Sequence, residues 1–126
     1  MANIAARKHF AAGEDCFSRM NKSSTTPATV SIARIGAYEE DAVLDAMRRC
    51  LKPLGGIESF VRQGQNVLLK PNLIGAFPAE RACTTHPSVV RAAALLCLQA
   101  GAKVSIGDSP GIGSMEGAMA RCGVAG

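Results

Sequence analysis

"VLLKPNLIGAFPAERACTTHPSVV", residues 67–90, begins as a strand and ends as a helix. Val67, Leu68 and Leu69 form a short apolar run. Pro71 cannot donate to a sheet ladder, so the buried strand "NVLLK" is expected to stop at Lys70. At the far end, Pro87 suits the first turn of a helix. Val89, Val90, Ala93, Leu96 and Cys97 then recur at helical spacing. The part between is unusual. Strand-to-helix connections of this kind run about 2–6 residues, and longer ones without structure of their own tend to be functional. Residues 71–85 far exceed that length and carry Asn72, Arg81, Cys83, Thr84 and Thr85.

The same pattern extends in both directions. Gly101 ends the helix "PSVVRAAALLCLQA" as a C-terminal cap. "KVSIG" follows as another strand, "DSPGIG" as a glycine-rich turn, and "SMEGAMARC" as a helix with Ser114 as N-cap and Gly123 as stop. On the N-terminal side, "TVSIARI" (residues 29–35) alternates and is rich in β-branched residues, so it reads as a strand ended by Gly36. "YEEDAVLDAMRRCLKPL" places its acids first and its bases last, which complements a helix dipole. Residues 57–62 suit a short helical turn. The order strand–helix, three times over, predicts an α/β domain over residues 29–126. Its architecture is a three-layer, Rossmann-like parallel sheet, left incomplete after the third helix. Residues 1–28 read as a flexible N-terminal extension.

Composition narrows the function. The 126 residues suffice for one domain. With 48% apolar and 19% charged residues the chain is globular, and with no Trp and one Tyr its core is aliphatic. The net charge of +4 is spread without a basic run, and few aromatics are present to stack bases. This argues against nucleic acid and for a small anionic partner. No apolar stretch reaches the roughly 18 residues of a membrane span. The five cysteines are widely spaced, odd in number and free of any C-x-x-C pattern, which predicts a reducing, cytoplasmic setting without disulfides.

In a parallel sheet the loops after Lys70 and after Gly107 leave on one side, at the carboxyl ends of the strands, where open α/β sheets bind ligands. The ligand-binding candidates are Lys70, Asn72, Thr84, Thr85, Asp108, Ser109 and Gly111. Lys70 either contacts an anion or pairs with an acid such as Asp108. Asn72 either holds a ligand or makes an Asx-turn after Pro71. Thr84 and Thr85 read as helix caps that could also ligate, with the free N–H groups of the helix start near Thr85 suited to an anion. His86 reads as a local hydrogen-bonding residue. Cys83 and His86 form a C-x-x-H pair, but two ligands make no zinc site, and no metal ligand or catalytic residue is assigned. Asp108 caps the glycine-rich turn, coordinates a cation or holds a ligand hydroxyl. Neither a dinucleotide fingerprint nor a P-loop is present.

Taken together, "VLLKPNLIG" and "TTHPSVVRAAALLCLQAGAKVSIGDSPGIG" resemble the family catalogued as domain of unknown function 362, over about residues 29–126. Lys70, Pro71, Asn72, Thr85, Pro87, Asp108, Ser109 and Gly111 match its pattern. The resemblance implies a longer domain, of which this chain is the N-terminal portion. It also implies an iron–sulfur context, since members often carry ferredoxin-like cysteine motifs. This chain lacks such motifs. No cofactor is therefore expected within it, and a 4Fe-4S cluster would sit in a further or partner domain. Two functional expectations follow. One is an anion- or cofactor-binding α/β domain of a redox enzyme. The other is a non-catalytic scaffold or truncated piece that docks an iron–sulfur domain and is prone to self-association through an open strand edge.

Overall fold

The structure, a computed structural model, describes residues 28–124. The expected extension over residues 1–28 lies outside them, apart from Ala28. The fold is built around two short strands, β1 (Asn66–Leu69) and β2 (Lys103–Ile106). They pair in parallel, with Asn66 opposite Lys103 and Leu69 opposite Ile106. The ladder is prolonged at both ends. Lys103 N–H donates to the Gln65 carbonyl at 2.8 Å, and Gly107 N–H donates to the Leu69 carbonyl at 3.0 Å. Two parallel strands need a long crossover, and the long loop plus a helix supply it.

That helix is α2 (Pro87–Gln99), with Pro87 in its first turn as expected. Its buried stripe is Val90, Ala92, Leu96 and Cys97, so Ala92 takes part where Ala93 was expected. Cys97 packs with Val61 and Ala102, joined by Ile57, Val67, Leu69, Ala100 and Val104. This cluster fills the space between α2 and one face of the sheet. The Ile57–Ser59 turn closes its lower end. Gly101 (φ 82°) lets the chain reverse out of α2 into β2, and a Cβ there would meet the Gln63 Cγ at 2.9 Å.

Helix α1 (Glu40–Leu51) lies beside α2 and buries Val43 and Ala46. Glu40, at its start, pairs with Arg91 near the start of α2 at 3.1 Å. Arg48, near its end, donates to Gln99 at the end of α2 at 3.1 Å. Start meets start and end meets end, so the two helices run in the same direction. Helix α3 (Met115–Cys122) is capped by the Ser114 hydroxyl, which accepts from Gly117 N–H at 3.1 Å. Its Ala118 and Cys122 form a second core cluster with Leu73, flanked by Met115, Met119 and Val124.

The α/β class and the parallel pairing agree with the sequence, but two local readings are corrected. Residues 29–35 form no strand: no backbone hydrogen bond joins them to a described residue. They keep a strand's alternation, with Ser31, Ala33 and Ile35 half-buried and Val30, Ile32 and Arg34 exposed. A strand, however, is completed by its neighbour, and none of the described segments lies in register beside them. The second correction concerns β1, which is not buried on both faces. Val67 and Leu69 point to the core, while Leu68 is 66% exposed. With Asn66, Lys103 and Ser105 exposed as well, one face of the sheet is covered and the other is open.

Candidate functional site

Because β1 and β2 are parallel, the corners after them share one rim, as the sequence requires. Four contacts weld them together. Lys70 Nζ donates to Asp108 Oδ1 at 2.5 Å, and Leu73 N–H donates to Asp108 Oδ2 at 2.6 Å. Ile112 N–H donates to the Ile74 carbonyl at 3.2 Å. Gly75 lies so close to Ile112 that a Cβ on it would stand 3.0 Å from the Ile112 carbonyl.

Asp108 anchors the rim. Its side chain is 4% exposed while that of Lys70 is 70% exposed. The Lys70 hydrogen bond holds its carboxyl well below the usual range, at about 2, helped by the backbone N–H groups of Leu73 and Ser109. Its charge is thus shared among three donors. Lys70 spends one of its three protons on Asp108 and keeps two for solvent or a ligand.

The long connection is a closed loop. Asn72 N–H donates to the Thr85 hydroxyl at 2.9 Å, and Thr85 N–H returns to the Asn72 carbonyl at 2.9 Å. The Asn72 side-chain amide adds a bond to the Cys83 carbonyl at 3.1 Å. Residues 72–85 therefore leave and return through one neck, the defining feature of an Ω-loop. Within the loop, Ala79–Arg81 makes a single turn ended by Ala82 in the left-handed region (φ 52°). Arg81 lies 5.6 Å from the centre of the Phe77 ring.

The structure assigns the expected site residues different neighbours. Lys70, Asn72, Thr85 and Asp108 come together at the rim. Asn72 ties the loop neck rather than making an Asx-turn. Thr84 is buried, and its hydroxyl finds no partner. Ser109 enters through its backbone, and Gly111 is exposed near the Ile74 carbonyl. Neither threonine caps α2. His86 does, its Nδ1 accepting from Ser88 N–H at 3.2 Å. The amides expected to hold an anion are already used: Pro87 has none, and Ser88, Val89 and Val90 all bond to His86. Anion attraction at this rim therefore rests on Lys70. Sequence reasoning also missed Tyr38, which stacks on His86 at 3.9 Å and accepts from the Ser88 hydroxyl through its carbonyl. The signal for His86 was present, because a proline in the first helical position makes the preceding residue the N-cap.

A small cleft of about 140 Å³ opens beside the pair, lined by Leu69, Lys70, Pro71, Thr85, Val89, Val90 and Ala93. Two larger clefts, of about 390 and 500 Å³, lie elsewhere and include none of Lys70, Asn72 or Asp108. The second of these sits where α1 and α2 end, and its Arg48 already donates to Gln99. Chemistry rather than size therefore marks the site. Among the described residues no group of three or more His, Cys, Asp or Glu side chains could hold a metal, and the four described cysteines are free thiols.

The rim's two motifs, Lys-Pro-Asn and Gly-Asp-Ser-Pro-Gly, both fall inside residues 67–126, which match the profile of the domain of unknown function DUF362. Over those residues the chain resembles the DUF362 family. The match begins within β1, so it leaves out residues 29–66, which the resemblance had included. The chain is also similar to the Thylakoid-associated protein sll1697 of Synechocystis sp., with 46% identity over 89 residues. The alignment covers 71% of this chain and 28% of that relative. No solved structure matches this chain.

Proposed function

We propose that this chain binds a small anionic ligand or cofactor at the carboxyl ends of β1 and β2, with Lys70 as the anion contact. One observation carries the reading: a 70%-exposed ammonium is fixed in place by a carboxylate that is itself 4% exposed. A surface lysine normally keeps its rotamer freedom, and immobilising one is useful where a partner must be met in a set geometry. Asp108 positions Lys70, Asn72 and Thr85 hold the loop beside it, and Ser109 and Gly111 complete the rim. A three-layer, Rossmann-like sheet would cover the open face and enlarge the site. An iron–sulfur redox activity would then use a cluster held in another domain.

The test is Lys70→Gln against Lys103→Gln, an exposed lysine at the amino end of the neighbouring strand. Titration with carboxylates and phosphates, followed by NMR, should show binding lost in the first and kept in the second, with Lys103→Gln melting as the parent does and Lys70→Gln folded but melting somewhat lower. Parallel loss of fold and binding in Lys70→Gln alone would make Lys70 a structural residue and end the proposal.

The open sheet face and the unladdered residues 29–35 support a second reading, in which the chain is a scaffold that pairs with a separate iron–sulfur domain or with itself. Exposed Val30, Ile32 and Leu68 would be covered in such a complex. A monomer that stays monomeric at high concentration excludes self-pairing. Among the described residues no helix is long and apolar enough to cross a membrane. The odd number and wide spacing of the cysteines favour a reducing, cytoplasmic address. The thylakoid association in the relative's name gives the alternative address, and fractionation of a tagged chain separates the two.

A further inference from the structure

We infer that His86 is an acid-sensitive latch. As a neutral imidazole it holds the start of α2, the end of the Ω-loop and the segment leading into α1 together, and on protonation it lets them part. The inference stands apart from the Lys70 reading. Histidine is an uncommon residue at a helix N-cap, where Asn, Asp, Ser and Thr lead because their oxygens accept from the first N–H groups. An imidazole nitrogen accepts only while it carries no proton. His86 accepts at Nδ1 from Ser88 N–H at 3.2 Å, so its one proton sits on Nε2. A second proton must go to Nδ1, where it would point a donor at a donor. The cap bond is then lost, and a positive charge arrives at the positive pole of the helix. Imidazole is the side chain that changes charge between about pH 5 and 8.

Three segments meet at the ring. Tyr38, from the segment before α1, stacks on it with centroids 3.9 Å and planes 12° apart. The Ser88 hydroxyl ties α2 to the Tyr38 carbonyl at 2.9 Å. Thr85, one residue before His86, closes the loop neck with Asn72. The charged and titratable groups around this junction are engaged elsewhere or exposed. Glu39 follows Tyr38 and is exposed, and Glu40 of α1 pairs with Arg91 of α2. In the loop, Arg81 lies over Phe77 and Cys83 is a free thiol. At the rim, Lys70 and Asp108 hold each other. Arg121 is exposed on α3, whose C-cap Gly123 packs on Pro87. Among the described residues no carboxylate bonds to the imidazole to hold its charged form. A side-chain cap is typically worth about a fivefold shift in the opening of a helix start, and that is the size of the switch.

NMR of the full chain tests it. At about pH 7.5 the ring-nitrogen shifts of His86 should be those of the Nε2–H tautomer. As pH falls to about 5, the His86 ring, the Tyr38 ring and the Ser88 amide should shift along one titration curve, and the Ser88 protection factor should fall about fivefold. Asp108, with its carboxyl at about 2, stays ionised throughout. In urea melts over the same window the parent should lose about fivefold more of its folding equilibrium than His86→Asn, whose amide oxygen caps at either pH. His9 is present in both chains and cancels. Tyr38→Ala keeps the cap and should keep the fall. An Nδ1–H tautomer at neutral pH, or a Ser88 amide indifferent to the ring's titration, overturns the latch whether or not His86→Asn folds. So does an equal pH dependence in parent and His86→Asn, or its loss in Tyr38→Ala.

Discussion

Leu73→Ala should be the most damaging single truncation at the rim. Leu73 is 1% exposed and is the largest side chain to be wholly buried among the described residues. It fills the space against Ala118 and Cys122 of α3, while its own N–H serves Asp108. The substitution leaves that N–H in place, so the effect is one of packing. Leu→Ala in a core destabilises by about 2–5 kcal/mol, depending on how far the site can collapse. Here two of the flanking groups, Met115 and Met119, are unbranched and can move into the gap. That places the expected loss near the lower end, at about 2–3 kcal/mol. A domain of this size shifts its melting point by about 4–8 °C per kcal/mol, so the midpoint should fall by about 8–24 °C. Thermal melts by circular dichroism measure it. Leu68→Ala is the internal control, because Leu68 is 66% exposed and its loss should stay within about 0.5 kcal/mol. Leu73→Met, which nearly conserves volume, should recover most of the loss. If Leu73→Ala melts no lower than Leu68→Ala, the packing of the rim on α3 described above is wrong.

Three more outcomes follow from the rim. Asp108 has its carboxyl lowered to about 2 in the folded chain, against about 3.9 when unfolded. Its contribution is therefore fully present above pH 4 and drains away as pH falls towards 2. Urea midpoints measured across that window should decline in the parent and decline less steeply in Asp108→Asn. Thr85→Val removes the acceptor for Asn72 N–H, so amide exchange within residues 72–85 should rise by roughly tenfold while α2 stays helical. Unchanged exchange would mean the neck does not hold the loop. Ala82→Gly relieves a left-handed alanine of about 1–2 kcal/mol of strain, partly offset by the unfolded-state entropy of glycine. A net stabilisation of about 0.5 kcal/mol should appear in denaturant melts, and a loss would contradict the φ assigned there.

Part of this arrangement can be read from the chain alone, for reasons that differ by element. The shared rim follows from order: a strand, a crossover helix and a second strand leave parallel pairing as the economical solution, and parallel strands put their C-terminal corners together. The Lys70–Asp108 pair was one of two alternatives open at Lys70, and the structure shows it formed. Residues 29–35 show the opposite limit. Their alternation is real and persists in their burial, but a ladder depends on what lies alongside, which no local pattern encodes. The Asn72–Thr85 neck was beyond reach because its two halves are thirteen residues apart and each of its bonds uses a backbone group, which residue type does not reveal. His86 was legible as a local hydrogen-bonding residue, and it is one; the misreading lay at Thr84 and Thr85, where threonine's general preference as a cap was weighed over the position that Pro87 dictates.

Two four-residue strands supply few ladder bonds, and an isolated strand pair is marginal in water. The rim must therefore draw its rigidity from elsewhere, and the contacts show where. Asp108 joins the corner after β2 to both Lys70 and Leu73, Ile112 joins Ile74, and Leu73 pins the whole to α3. The groups that would position a ligand are thus the same groups that hold the loops together. In such an arrangement a site mutation weakens the fold as well as binding, unless the residue faces outward. Lys70 comes nearest to that exception: its side chain is 70% exposed, and although it is the main support of the Asp108 charge, the backbone N–H groups of Leu73 and Ser109 still hold that carboxylate without it. Of all the rim residues, Lys70 is the one whose replacement should cost recognition far more than it costs the fold.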